Sequence, residues 1–318
     1  MRFCIPILVI LILVILAVAI FIYVKYHNFL SNIRNIGNTI ETTFSSIQYP
    51  ANMPNLTNDY NIELSRLGIS CVMSAVNYHQ KVNIQLPTYL KMVQSLPNDY
   101  GIVLQPSVQS NFNDIVAFRG TLSHQDIVSD IEWPQIEYYG LGKVHQGFAN
   151  IASLVYPALN FPTGSTVLIT GHSLGASVAE IVATRLAKEK NIKVELYISA
   201  RPRTGDLTWN NSVEKYVNRY ILINQSDDIP QLPLPTMVKG KTGYGFVSPP
   251  LCKTINFSFQ TGNVGDNHNP ITYHYALYGG TKPFNSMWYV PLALPTVCCV
   301  HTPAFPSQSS FRSGNIQL

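Results

Sequence analysis

The stretch "TVLITGHSLGASVAEIVATRLAKEK", residues 166–190, decides the fold. Val167, Leu168 and Ile169 form a short apolar run of the kind a buried strand shows. From Ala176 onward, Ala176, Val178, Ala179, Ile181, Val182, Leu186 and Ala187 fall at helical rather than alternating spacing. Between the two lies Gly171-His172-Ser173-Leu174-Gly175, a G-x-S-x-G. At a strand-to-helix turn this spacing describes a nucleophile elbow. The serine takes a strained backbone conformation, side chains beside it would clash, and glycine relieves the crowding. The N-terminus of the following helix then lies under an oxygen that is to carry negative charge. An ordinary glycine turn with a polar cap would contain the same five residues. The strand before and the helix after favour the elbow.

The whole chain has 318 residues, enough for one large α/β domain or two small ones. A hydrophobic content of 46% excludes wholesale disorder, and no internal repeat stands out. The net charge of +4 is spread along the chain without a lysine- or arginine-rich run, so nucleic acid is not an expected partner. Charged residues make up only 12%, which suits a secreted or partly membrane-embedded chain.

From Ile5 to Val24, "IPILVILILVILAVAIFIYV" carries no charge. Twenty helical residues span about 30 Å, one hydrocarbon core. Ala17-Val18-Ala19 would fit a cleavage site, but the apolar run continues past it and exceeds the usual signal-peptide length. The reading is therefore an uncleaved anchor over residues 1–27. A polar stalk over 28–57, a catalytic domain over 58–295 and a flexible tail over 296–318 follow. Arg2 on one side and Lys25 and Arg34 on the other leave the orientation open. Sequons at Asn55, Asn210, Asn224 and Asn256 fit a lumenal or extracellular, glycosylated domain. Of five cysteines, Cys71 and Cys252 could pair or could each be a free buried thiol. No C-x-x-C or H-E-x-x-H pattern suggests a metal, and no cofactor is expected.

Within the domain a helix is expected from Tyr60 to about Tyr78, and a core strand in "NDIVAFRGT" (113–121). A strand interrupted at Pro134 is expected in "SDIEWPQIEY" (129–138), and a helix beginning in "HQGFANIASLVYPAL" (145–159). After the elbow helix, "KVELYIS" (193–199) and "RYILINQSDD" (219–228) read as strands. Strands alternating with helices over 110–280 predict a mostly parallel sheet covered on both faces.

An elbow serine needs a base within hydrogen-bond reach and an acid to orient that base. In α/β-hydrolases the chain order is serine, acid, histidine. Of the histidines after Ser173, His301 falls in the expected tail, leaving His268 and His274. His172, next to the serine, should point away and pack. Among the acids, Asp227 and Asp228 end a strand at the carboxyl edge where ligands collect in open α/β sheets, and they precede the rigid "IPQLPLP".

From about Asn113 to Gly280 these residues resemble the class 3 lipases, the group of fungal triacylglycerol lipases and many plant acylhydrolases. "VAFRGT" is similar to the family's oxyanion strand and "HQGF" to the segment after it. "ITGHSLGASVA" resembles the elbow GHSLGG. "SARPRTGD" resembles G-x-P-R-x-G, "NQSDDIPQLP" resembles N-x-x-D-x-V-P-x-LP, and "HNPITYHYAL" resembles H-x-x-x-x-Y. The resemblance implies an α/β-hydrolase fold with Asp227 as the acid and His268 as the base. It also implies oxyanion donors at Thr121 and Leu174, and leaves His274 to packing or a polar network. Ala176 and Ala200 stand where the family has glycine; neither change removes a chemical group.

The function this implies is hydrolysis of lipid acyl esters through an acyl-enzyme. The partners implied are the acyl-ester substrate and a membrane, with no obligatory protein partner. Two other classes share these residues: an acyltransferase that intercepts the same acyl-enzyme with an alcohol, and a non-catalytic anchored scaffold. The segment "LSHQDIVSDIEW" (122–133) is either an amphipathic lid or a plain surface helix.

Overall fold

The computed structural model describes residues 44–120, 134–239 and 242–294, and elsewhere only Leu16, Ile20 and Tyr23. The expected anchor, oxyanion residue Thr121, the 122–133 segment and the tail lie outside the described residues. Among those described, no helix is long and apolar enough to cross a membrane.

The first helix, α1 (Ile62–His79), starts where the Asn61 side chain accepts the Glu63 N–H. Two strands follow, β1 (Leu90–Ser95) and β2 (Gly101–Pro106), then β3 (Asp114–Phe118). A small antiparallel pair, β4 (Gln135–Glu137) and β5 (Lys143–His145), leads into α2 (Gln146–Val155). The central run is β6 (Thr166–His172), α3 (Leu174–Lys190), β7 (Lys193–Ser199), α4 (Leu207–Tyr216) and β8 (Asn218–Asn224). A hairpin, β9 (Thr236–Lys239) and β10 (Thr242–Gly245), precedes β11 (Thr254–Gln260). Two short helices, α5 (Val264–His268) and α6 (Pro270–Tyr278), and a last strand, β12 (Trp288–Ala293), end the described chain.

Eight strands form one sheet in the order β1-β2-β3-β6-β7-β8-β11-β12. The five from β3 to β11 run parallel; β1, β2 and β12 are antiparallel additions at the edges. The expected α/β architecture, a mostly parallel sheet between helical layers, is thus present. Alternation along each strand builds two cores. Val167, Ile169, Leu196 and Ile198 face α2, α3 and α4, while Leu168 and Tyr197 face α1 and α6.

The described part of the expected stalk is not a spacer. Phe44 is buried, and its backbone exchanges two hydrogen bonds of 2.9 Å with the Asn77 side chain. The Tyr49 hydroxyl meets Ser74 Oγ at 2.7 Å, and Tyr89 donates to the Pro50 carbonyl at 2.7 Å. Ile47, Tyr49, Met53 and Leu56 pack on the α1–α6 core at irregular spacing, which hid them among the polar residues.

Two further readings are narrowed. Cys71 is a free thiol buried in α1, and Cys252 is disulfide-bonded, so these two do not pair. Asn210 and Asn224 are buried and use their side chains on backbone carbonyls, so neither sequon is open to a glycan in the fold. Asn55 is exposed.

Candidate active site

The β6–β7 register sets Gly171 beside Ile198 and His172 beside Ser199, so the turn after β6 opens at the carboxyl edge of the sheet. There Ser173 has φ 58° and ψ −128°, in the left-handed half of backbone space that an L-residue enters only under constraint. The constraint is packing. A Cβ on Gly171 would fall 2.3 Å from the Gly175 carbonyl oxygen, and one on Gly175 would fall 2.3 Å from that of Arg119. Both glycines of the motif are therefore steric requirements. Gly120 completes the cramped turn, since a Cβ there would lie 3.3 Å from Ser173 Cβ.

The structure brings together three of the residues named from sequence. Ser173 Oγ lies 2.7 Å from His268 Nε2, and His268 Nδ1 lies 2.7 Å from Asp227 Oδ2. All three are buried. Asp227 follows β8 and sits within hydrogen-bond reach of the loop it begins, its Oδ1 accepting the Ile229 N–H at 3.0 Å. Asp228 is exposed and His274 lies elsewhere, stacked on Tyr278 and 3.2 Å from the Gln48 carbonyl. Leu174 opens α3 beside Ser173, with its N–H at the positive end of the helix. The partner expected at Thr121 lies outside the described residues.

Three supporting residues were not singled out for this role from sequence. Tyr273 donates its hydroxyl to Asp227 Oδ2 at 2.6 Å and accepts the Asn224 N–H at 3.2 Å. Burial, reinforced by the Asp227 charge, pushes its phenol well above the usual range, so it stays a donor. Asn224 clamps two segments: Nδ2 donates to the Phe259 and Asn267 carbonyls, while Oδ1 accepts the Phe259 N–H at 2.8 Å.

His172 does more than pack. Its Nε2 donates to the His268 backbone carbonyl at 2.8 Å, and Nδ1 accepts from Ser199 Oγ at 2.8 Å. Burial first, and the nearby His268 second, hold its pKa well below the ordinary histidine value. The ring is a neutral strut between β7 and His268. Tyr273 and Asn224 both stand inside the quoted motifs "HNPITYHYAL" and "NQSDDIPQLP", so a signal existed. Nothing local to His172 predicts contact with a residue 96 positions away.

The described residues contain no group of three or more histidine, cysteine or acidic side chains that could hold a metal. The site offers acid–base and nucleophilic groups.

A family model described as Lipase (class 3) matches residues 115–237. Over that span the chain is similar to the class 3 lipases. The span holds Ser173 and Asp227, with His268 beyond it. The chain is 35% identical over 83 residues to a protein named secreted mono- and diacylglycerol lipase A of Penicillium cyclopium, 26% of each chain. It is 28% identical over 146 residues to secreted mono- and diacylglycerol lipase 1 of Fusarium solani, 42% of each. The chain thus spans about a quarter to two fifths of the length of these curated relatives. Among solved structures, the Rhizomucor miehei triacylglyceride lipase is similar at 22% identity, covering 55% of this chain and 68% of that one, with a TM-score of 0.42. A lipase from Rhizopus microsporus var. chinensis is similar at 17% identity, covering 59% and 77%, with a TM-score of 0.46.

Proposed function

We propose that this class 3 lipase chain is a serine ester hydrolase acting on acyl esters of lipids, with Ser173 as nucleophile, His268 as base and Asp227 as the acid that orients it. The observation that carries the reading is the unbroken Ser173–His268–Asp227 chain at 2.7 Å per link. As Ser173 Oγ attacks an acyl carbonyl, Nε2 of His268 takes its proton, and the Asp227 carboxylate stabilises the imidazolium. The N–H groups of Leu174 and Thr121 receive the oxyanion, each worth about 10²–10³ in turnover. The imidazolium returns its proton to the leaving alcohol. Water then opens the acyl-enzyme by the same route.

Substrate class rests on the relatives: two of them are named as mono- and diacylglycerol lipases, and both names carry the word secreted. With the apolar run from Ile5 to Val24, that supports a catalytic domain on the lumenal or extracellular side, held at a membrane by an N-terminal anchor. The domain includes residues 44–56, given their contacts, rather than beginning at 58.

The test is a panel of soluble esters and intact glycerolipids on the full chain and on Ser173→Ala, with a fluorophosphonate probe. The expected result is labelling and ester cleavage by the parent chain and neither by the variant. Equal rates for the two would end the hydrolase reading. New ester formed from added alcohol, in place of free acid, would make it an acyltransferase.

A further inference from the structure

The sheet ends at β12 with a group of apolar side chains left in solvent. Met287 is 68% exposed, Trp288 50%, Val290 55% and Leu294 64%. The register explains why. Trp288 pairs with Gln260 and Val290 with Ser258, while Tyr289 pairs with Phe259. Tyr289 turns to the α6 side, its ring 5.3 Å from that of Tyr275. Trp288 and Val290 therefore lie on the opposite face, beside the polar Ser258 and Gln260. That end of the patch is also at the catalytic edge. β11 runs parallel to β8, and its last residue, Gln260, accepts the Met287 N–H just before the loop that leads to His268.

We propose that this stripe is a lipid-docking surface, with Trp288 and Met287 entering the interfacial layer of a bilayer or droplet beside the active-site mouth. The proposal rests on the lipid-ester reading above and adds where the substrate surface is met. One observation argues against a second protein strand as the occupant. Beside Pro291 the β11–β12 ladder is broken by a register shift between Asn256 and Ser258, an irregularity of the kind that blunts an edge. The area points the same way. Trp288 and Val290 on that face, with Met287 and Leu294 flanking the strand, present at most on the order of 400 Å², about half of the ~800 Å² each partner of a stable dimer buries. The chemistry fits a lipid interface: residues 283–294, "PFNSMWYVPLAL", carry no charge and place an indole beside a tyrosine.

The test uses the full chain with Trp133→Phe, leaving Trp288 and the fully buried Trp209 as emitters. Phosphatidylcholine vesicles with brominated acyl chains should quench the Trp288 emission and leave the Trp209 component. The same quenching is expected in the Ser173→Ala background, so loss of hydrolysis there says nothing against docking. In parallel, combined Met287→Ser, Trp288→Ser and Val290→Ser should raise the apparent KM for vesicle-borne ester about tenfold, and leave cleavage of a soluble short-chain ester unchanged. Unquenched Trp288 overturns the proposal. So does an equal fall in both activities, or a dimer in sedimentation that the serine variant disperses.

Discussion

Glu195 stands in β7, 3% exposed, with one hydrogen-bond partner, the Asn218 amide at 2.7 Å. Burial raises its pKa to about 7; the Asn218 hydrogen bond and the positive charges of Lys193 and Lys253 only partly oppose that. In the unfolded chain the group titrates near 4.5. Below that pH it is neutral in both states and costs nothing. Between about 4.5 and 7 the unfolded chain is ionised while the folded protein keeps the proton, so stability falls as pH rises. A gap of about 2.5 pH units corresponds to about 3 kcal/mol, reached in full above pH 7. Glu195→Gln removes the ionisation and keeps an oxygen to accept from Asn218. The variant should therefore match the parent near pH 4.5 and exceed it by about 3 kcal/mol at pH 8. For a domain of this size that is roughly 6–12 °C in the thermal midpoint. Melting curves of both proteins across pH 4.5–8 measure it. A stability difference that does not change with pH would refute the reasoning, because a buried ionisation is the one contribution that must vary.

Three other outcomes are expected. Tyr273→Phe removes a hydrogen bond to a carboxylate, worth about 1.5–3 kcal/mol; kcat on a soluble ester should fall about tenfold with KM little changed, measured by steady-state kinetics. Gly175→Ala sets a Cβ 2.3 Å from the Arg119 carbonyl oxygen and 2.6 Å from that of Phe118. It should cost at least 1–3 kcal/mol and abolish probe labelling of Ser173, read by melting and fluorophosphonate gels. In protein made in glycosylating cells, peptide mapping should find glycan at Asn55 and none at Asn210 or Asn224.

The elbow was legible because its physics is local. A strained serine between a strand and a helix excludes side chains on both sides, and the excluded positions are written as glycines 171 and 175. The proposed acid and base were legible as short lists, from chain order and from the ends of strands; family motifs reduced each list to one residue. What escaped was long-range. β1, "LKMVQS", has a largely exposed side and reads as polar. β12 is an edge strand interrupted by Pro291, and neither was named from sequence. Residues 44–56 gain their order from contacts with α1 and α6, not from any period of their own. Asn224 looks like a sequon because the tripeptide is local, yet its amide is spent on Phe259 and Asn267. Sequence patterns record what a residue needs from its neighbours in the chain, and these residues depend on neighbours in the sheet.

His172 shows why such a distant neighbour matters to the chemistry. Its ring centroid is 5.0 Å from that of His268. The imidazolium formed on His268 during acyl transfer would meet a second positive charge there if His172 could also protonate. At an effective dielectric of about 20, two unit charges 5 Å apart repel by about 3 kcal/mol, or about two orders of magnitude in rate. Burial removes that cost by holding His172 neutral, and its Nε2–H is committed to the His268 carbonyl, which fixes the tautomer. An aliphatic side chain would also be neutral but could not hold the carbonyl. A lysine could hold it but would bring the charge. A neutral imidazole satisfies both demands, so His172, the residue before the proposed nucleophile, serves to position the proposed base.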